Sequence, residues 1–249
     1  MDDPTKTAAT RSAPTLLKRF YERVDVADRD GGFALLLDGK PVRTPGKRQL
    51  LLPSRALAEA LAEEWRAQKE RVDPATMPLT KLANSAIDGV PGREDDVIGG
   101  ILNYAGSDLL CYRAEGPRGL VEAQRVQWDP VLAWAKSALG APLVLAEGIV
   151  HAAQPRASLD RMREALKAYG PFGLAALHVM TGLTDSALLA LAVALGRMTP
   201  EEAWKAAHVD EDWQIAQWGE DAEAASRRAA RRRDFDAAAR ALALLNAPP

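Results

Sequence analysis

The chain has little of what builds covalent or metal frameworks. Cys111 is its single cysteine, so no internal disulfide can form and no CxxC pair exists for metal or redox work. His151, His178 and His208 are the only histidines, far apart and outside any HExxH. Neither charge is in surplus: 32 basic against 34 acidic residues leave a net charge of −2. A domain that lives on phosphate contacts ordinarily carries a basic excess, so the total does not point to nucleic acid. No apolar run approaches the ~18–20 residues that span a bilayer. The opening "MDDPTKTAATRSAPT" puts acids first and has no apolar stretch, unlike a secretory leader, and mitochondrial presequences avoid acids. Residues 1–17 therefore read as a flexible tail and the protein as cytoplasmic. No Gly-rich phosphate loop occurs, since "GGILNYAG" has neither GxGxxG nor GK[ST] spacing. No G-x-S-x-G elbow occurs either, and Ser85 in "ANSAIDG" falls inside a predicted helix. These absences count against catalysis and leave no candidate ligand set for a metal or cofactor.

What is present is an ordinary globular composition, 47% apolar and 27% charged, long enough for one large domain or two smaller ones. Residues 18–53 have strand grammar. "ERVDVAD" alternates Val24 and Val26 with charges, "RDGG" is a turn, and Phe33 to Leu37 form a short apolar run before "DGK". "PVRT", "PGK" and "QLLLP" extend this to a small antiparallel β unit. At Ser54 the grammar becomes helical, with a serine N-cap and Leu57, Leu61 and Trp65 at helical spacing. Trp65 reads as a core anchor of a helix pair. Leu79, Leu82, Ala83 and Ile87 form a second stripe that stops at Gly89, and "REDDVIGGILNYAGSD" is a third helix with an acidic start.

"LLCYRAEGP", near 109–114, reads as a strand that returns to the β unit, with Cys111 a buried thiol acting as a small hydrophobe. "PLVLAEGIV", near 142–150, reads as one more strand. Between them runs a long amphipathic helix that Pro130 bends or restarts. The rest is helical. Ser186 to Leu195 is almost wholly apolar, which predicts the buried centre of a bundle. The fold class is α+β: a small N-terminal antiparallel β-rich domain followed by a larger helical C-terminal domain, with 54–249 mainly helical.

Acidic pairs are frequent: Glu63-Glu64, Asp95-Asp96, Glu201-Glu202 and Asp210-Glu211-Asp212. Most stand at predicted helix starts, where carboxylates meet free amides and the helix dipole, worth roughly 0.3–1 kcal/mol each. The stretch "DEDWQIAQWGEDAEAASRRAARRRDF", from Asp210 to Phe235, is the most pointed in the chain. On a helical wheel Ile215, Trp218 and Ala222 share a flank, with Glu220, Asp221 and Glu223 away from it and a break near Gly219. Trp218 then reads as an anchor beneath an exposed acidic ledge. Phe235, Ala238, Leu242 and Leu245 form a packing stripe further on. The arginines are partly self-neutralised, Glu223 with Arg227 and Asp236 with Arg232 and Arg240. Three uses remain open for this stretch: a solvated helix face, a protein-docking surface, and a nucleic-acid grip through Arg227, Arg228 and Arg231 to Arg233. A hydrolase using clustered acids such as Asp210, Glu211 and Glu220 is a further alternative.

Four strings in order carry a resemblance: "FALLLDGKPVRTPGKRQLLLPSRALAEALAEEWRAQ", "MPLTKLANSAIDGV", "DLLCYRAEGPRGLVEAQRVQWDPVLAWA" and "DEDWQIAQWGEDAE". Over roughly residues 18–245 the chain resembles the family of assembly chaperones that hold the free α subunit of the ATP synthase head. The resemblance implies a small β-rich domain, a larger helical domain and no catalysis, cofactor or metal. It implies that the α subunit is the partner, bound on the surface that later meets the β subunit, by a chaperone read here as a monomer that contacts neither nucleic acid nor membrane. It also implies an important acid in the C-terminal helical region near a Trp-Gly. Here that ground is Trp218-Gly219 followed by Glu220, Asp221 and Glu223, with Glu211 in "DEDWQ" as a further candidate.

Overall fold

The computed structural model describes residues 16–148 and 152–245; His151 and most of the predicted tail lie outside them. A hairpin opens the fold. Strands β2 (Val24–Arg29) and β3 (Gly32–Leu37) pair antiparallel with Val24 opposite Leu37 and Arg29 opposite Gly32. This register turns Leu35 and Leu37 inward and leaves Asp25 and Asp28 toward solvent. β4 (Lys40–Pro41) and β5 (Leu51–Leu52) both pair antiparallel with β3. A separate short pair joins β1 (Leu17–Lys18) to β6 (Arg71–Val72). The β-rich N-terminal region and the helical remainder make an α+β fold, as the residue patterns predict.

Helix α1 (Arg55–Arg66) starts where Ser54 accepts the amide of Leu57, and buries Leu57, Ala58, Leu61 and Ala62 between the sheet and the helices. The Ser54 hydroxyl also donates to the carbonyl of Leu244 at 2.8 Å, tying this start to the far end of the chain. The helices that follow are α2 (Pro78–Gly89), α3 (Glu94–Gly106), α4 (Arg118–Trp134), α5 (Arg156–Leu166), α6 (Pro171–Thr184), α7 (Ala187–Ala194), α8 (Pro200–Ala207), α9 (Val209–Trp218) and α10 (Ala222–Leu245). The apolar helix α7 is buried from Ala187 to Ala192, at the centre of the bundle as its composition predicts. α10 lies across α6, α2 and α1 through Phe235, Ala238 and Leu242. One continuous core runs from Tyr21, just before β2, and Leu35 in the sheet to Leu242 in α10.

Three local readings change. "LLCYRAEGP" does not return to the N-terminal sheet: Leu109–Cys111 is a 3-10 turn, and β7 (Tyr112–Arg113) pairs in parallel with β8 (Ala146–Glu147). Of a bend or a restart at Pro130, the restart does not occur: α4 continues to Trp134 and closes in a π turn over Ala135–Leu139. Trp65 is half-buried, and it meets the sheet side of the molecule. Its ring lies 5.6 Å from that of Tyr21, whose hydroxyl donates to the Trp65 carbonyl at 2.7 Å.

Two acids organise helix starts from outside their own helices. Met77 offers α2 no side-chain cap, and Glu64 of α1 supplies one by accepting the amides of Leu79 at 2.7 Å and Thr80 at 2.9 Å. Burial raises the pKa of Glu64 while these amides pull it back down. Asp108, fully buried, accepts the Ser186 hydroxyl at 2.7 Å and the Leu188 amide at 3.1 Å, and so fixes the start of α7. Burial pushes its carboxyl up to about 6. Cys111 beside it is buried, and desolvation, with Asp108 adding to it, pushes its thiol up to about 12, which keeps it an inert hydrophobe.

Candidate docking site at the α9–α10 elbow

The stretch from Asp210 to Phe235 folds as two helices joined by a three-residue elbow, Gly219 to Asp221. α9 is fastened first. Val209, Trp213 and Ala216 recur at helical spacing and face α4, where Trp213 settles against Gly119. A Cβ at Gly119 would lie 2.2 Å from the indole ring, so the glycine makes the seat. The triplet at the start of α9 is spent inside the fold. Asp210 accepts the side-chain amide of the buried Gln124 at 2.7 Å. Asp212 and Glu211 face Arg228 of α10 at 2.6 and 3.7 Å, and Glu211 also stands 3.9 Å from the ring of His208. His208 stacks on Trp204, and its burial lowers its pKa.

Trp218 corrects the wheel. It is not an internal anchor: it is 88% exposed. It lies five residues beyond Trp213, about 140° round the helix, so the face that seats Trp213 turns Trp218 outward. Gly219 then takes φ +85, a region that side chains resist, and ends α9.

The three acids past this glycine have different employment. Asp221 accepts the amide of Ala224 at 2.8 Å and serves as the N-cap of α10. Glu223 is paired with Arg227 one turn on. Glu220 is exposed and makes no hydrogen bond or ion pair with any described residue. The elbow thus presents a free indole and a free carboxylate two residues apart, on a support pinned to α4 on one side and clasped by Arg228 on the other.

The carboxylates named for hydrolysis do not converge. Asp210 and Glu211 are held in separate clasps, and among the described residues no three His, Cys, Asp or Glu side chains gather as a metal would require. The arginine run is largely occupied. Arg228 holds Glu211 and Asp212, Arg231 donates to the Leu183 carbonyl, and Arg232 holds Glu201 and Asp236 beneath the ring of Trp204. No helix among the described residues is long and apolar enough to cross a membrane. What the elbow exposes is an indole beside a carboxylate, and similarity to known proteins defines the class of the chain: chaperone.

The family described as ATP12 chaperone protein matches residues 18–136. The crystal structure of the Atu1473 protein from Agrobacterium tumefaciens shares 54% sequence identity, with 92% of this chain and 86% of that chain covered and a TM-score of 0.89. Atp12 from Paracoccus denitrificans is 42% identical over 92% of this chain and 99% of that chain, with a TM-score of 0.85, and an aspartate-to-lysine mutant of the same protein superposes equally well. This chain belongs to the ATP12 chaperone family.

Proposed function

We propose that this chain is an assembly chaperone of the ATP synthase catalytic head, which binds the free α subunit and keeps it from aggregating until it meets the β subunit. Obligate subunit interfaces are large and apolar, so a lone subunit exposes a surface that associates wrongly. A protein partner can shield that surface without turnover, as a monomer in the cytoplasm, using no nucleotide or metal.

The observation that carries the docking assignment is the pairing of Trp218, 88% exposed, with the unpartnered Glu220 across Gly219. Exposed tryptophans are frequent anchors of protein interfaces, and an uncompensated carboxylate beside one orients a partner's lysine or arginine. Glu220 is therefore the acid that meets the client. Asp221 holds α10, while Glu223 and Glu211 hold arginines of this chain.

Binding of purified α subunit to the wild type and to two variants tests this. Glu220→Lys should weaken retention by about ten-fold or more, in line with reversing a charge against a cationic partner. Glu223→Lys should change it little. Wild-type retention by Glu220→Lys would overturn the assignment of that residue, and failure of the wild type to hold the α subunit would overturn the function.

A further inference from the structure

A second apolar surface lies at the opposite end of the sequence. Phe20 is 67% exposed, and with Tyr21, Val42 and Trp65 it lines a trough of about 420 Å³ between the N-terminal segment and the hairpin that follows β3. The floor is fixed before anything binds. Phe20 meets Tyr21 edge-on at 5.4 Å, Tyr21 leans on Trp65, and the Arg19 guanidinium sits 4.6 Å over the Tyr21 ring. A preformed aromatic floor lowers the ordering cost of binding.

The rim is basic. Lys40 and Arg43 line it, and the hairpin segment from Lys40 to Arg48 adds Lys47 and Arg48 beyond the lining and no acid. Arg43 and Arg48 donate to backbone carbonyls, which leaves their charge uncompensated. Asp38 also lines the trough, so its lining carries the cations Lys40 and Arg43 and one anion. Asp38 accepts the amides of Glu22 and Arg23, while Asp88 accepts the Gly46 amide and the Thr44 hydroxyl. A trough of this volume has room for one or two large side chains.

We infer that this trough is a second client contact, which takes an extended protein segment carrying an aromatic or large aliphatic side chain flanked by carboxylates. The inference rests on the client-holding function proposed above and supplies a contact of opposite charge to the elbow. One face then recognises a cation beside an apolar group, the other an apolar group beside anions. A client gripped at both is oriented as well as shielded.

Two experiments on the full chain test it. In the first, two short fluorescein-labelled peptides with the same Phe-Leu centre, one flanked by Glu and Asp and one by Lys, are titrated and followed by anisotropy. The acidic peptide should bind, more weakly as salt rises, and Phe20→Ala and Lys40→Glu should each reduce its affinity about ten-fold. Equal binding of both peptides, or undiminished binding by the variants, would overturn the inference. So would binding that emerges only when residues 1–15 are removed, which would make that segment the occupant, or peptide competition with self-association, which would make a second copy the occupant. In the second, α-subunit retention is measured for the same variants. Retention by the wild type with reduced retention by Phe20→Ala and Lys40→Glu supports the trough. Undiminished retention by both removes the trough and leaves the chaperone function standing, whereas no retention by the wild type removes the function itself.

Discussion

Asp108 shows how a single buried acid sets a property of the fold. Burial holds its carboxyl near 6, above its ordinary value of 3.8, despite the donors around it. The folded form therefore keeps its proton more tightly than the unfolded form. Its contribution to stability is greatest below about pH 4 and is lost as pH rises through about 6, because over that window the native state binds more protons. Asp108→Asn removes this titration. Urea denaturation at a series of pH values should show the wild type losing ground to the variant by an amount on the order of 3 kcal/mol between pH 4 and pH 7. A gap that stays constant across that window would contradict the assignment. The Leu110 amide is a local partner of Asp108, but its role at the start of α7 was hidden because Ser186 and Leu188 are remote in sequence. Glu64 was hidden in the same way, by its cap on the distant start of α2. Ser54, whose cap is three residues away, was legible at once.

At the level of elements, helices with one apolar face were readable and their far-side partners were not. α7 declared itself by being apolar all round, and the stripe on α10 by Phe235, Ala238 and Leu242. α9 has two tryptophans on different faces, and the wheel chose Trp218, the wrong one, because it holds no information on what lies opposite the helix. Gly119 on α4 makes that choice, since only a residue without a Cβ leaves room for Trp213. The short strands β7 and β8 were placed near their true positions but not against their true partner, because two-residue pairings carry no periodicity. Gly119→Val should push Trp213 out of its seat and destabilise the fold by about 1–3 kcal/mol, outweighing the helix propensity gained. Thermal denaturation reads this directly, and an unchanged or raised Tm would show that Trp213 does not depend on the glycine. The elbow is carried by α9, so α-subunit retention should fall in the same variant.

Across the described residues the sheet and the bundle share one core, from Tyr21 to Leu242, with Ser54 joined to Leu244. The two exposed apolar surfaces carry opposite charge on a chain whose net charge is only −2. That arrangement suits a protein that holds one partner in one orientation and lets it go. Co-expression of the α subunit with this chain, followed by size-exclusion chromatography and then addition of β subunit, tests the account most directly. The account predicts insoluble α subunit without the chain, a soluble complex of the two with it, and release of the chain as α and β associate. An α subunit that stays aggregated beside the chain, or that never co-elutes with it, would contradict the account.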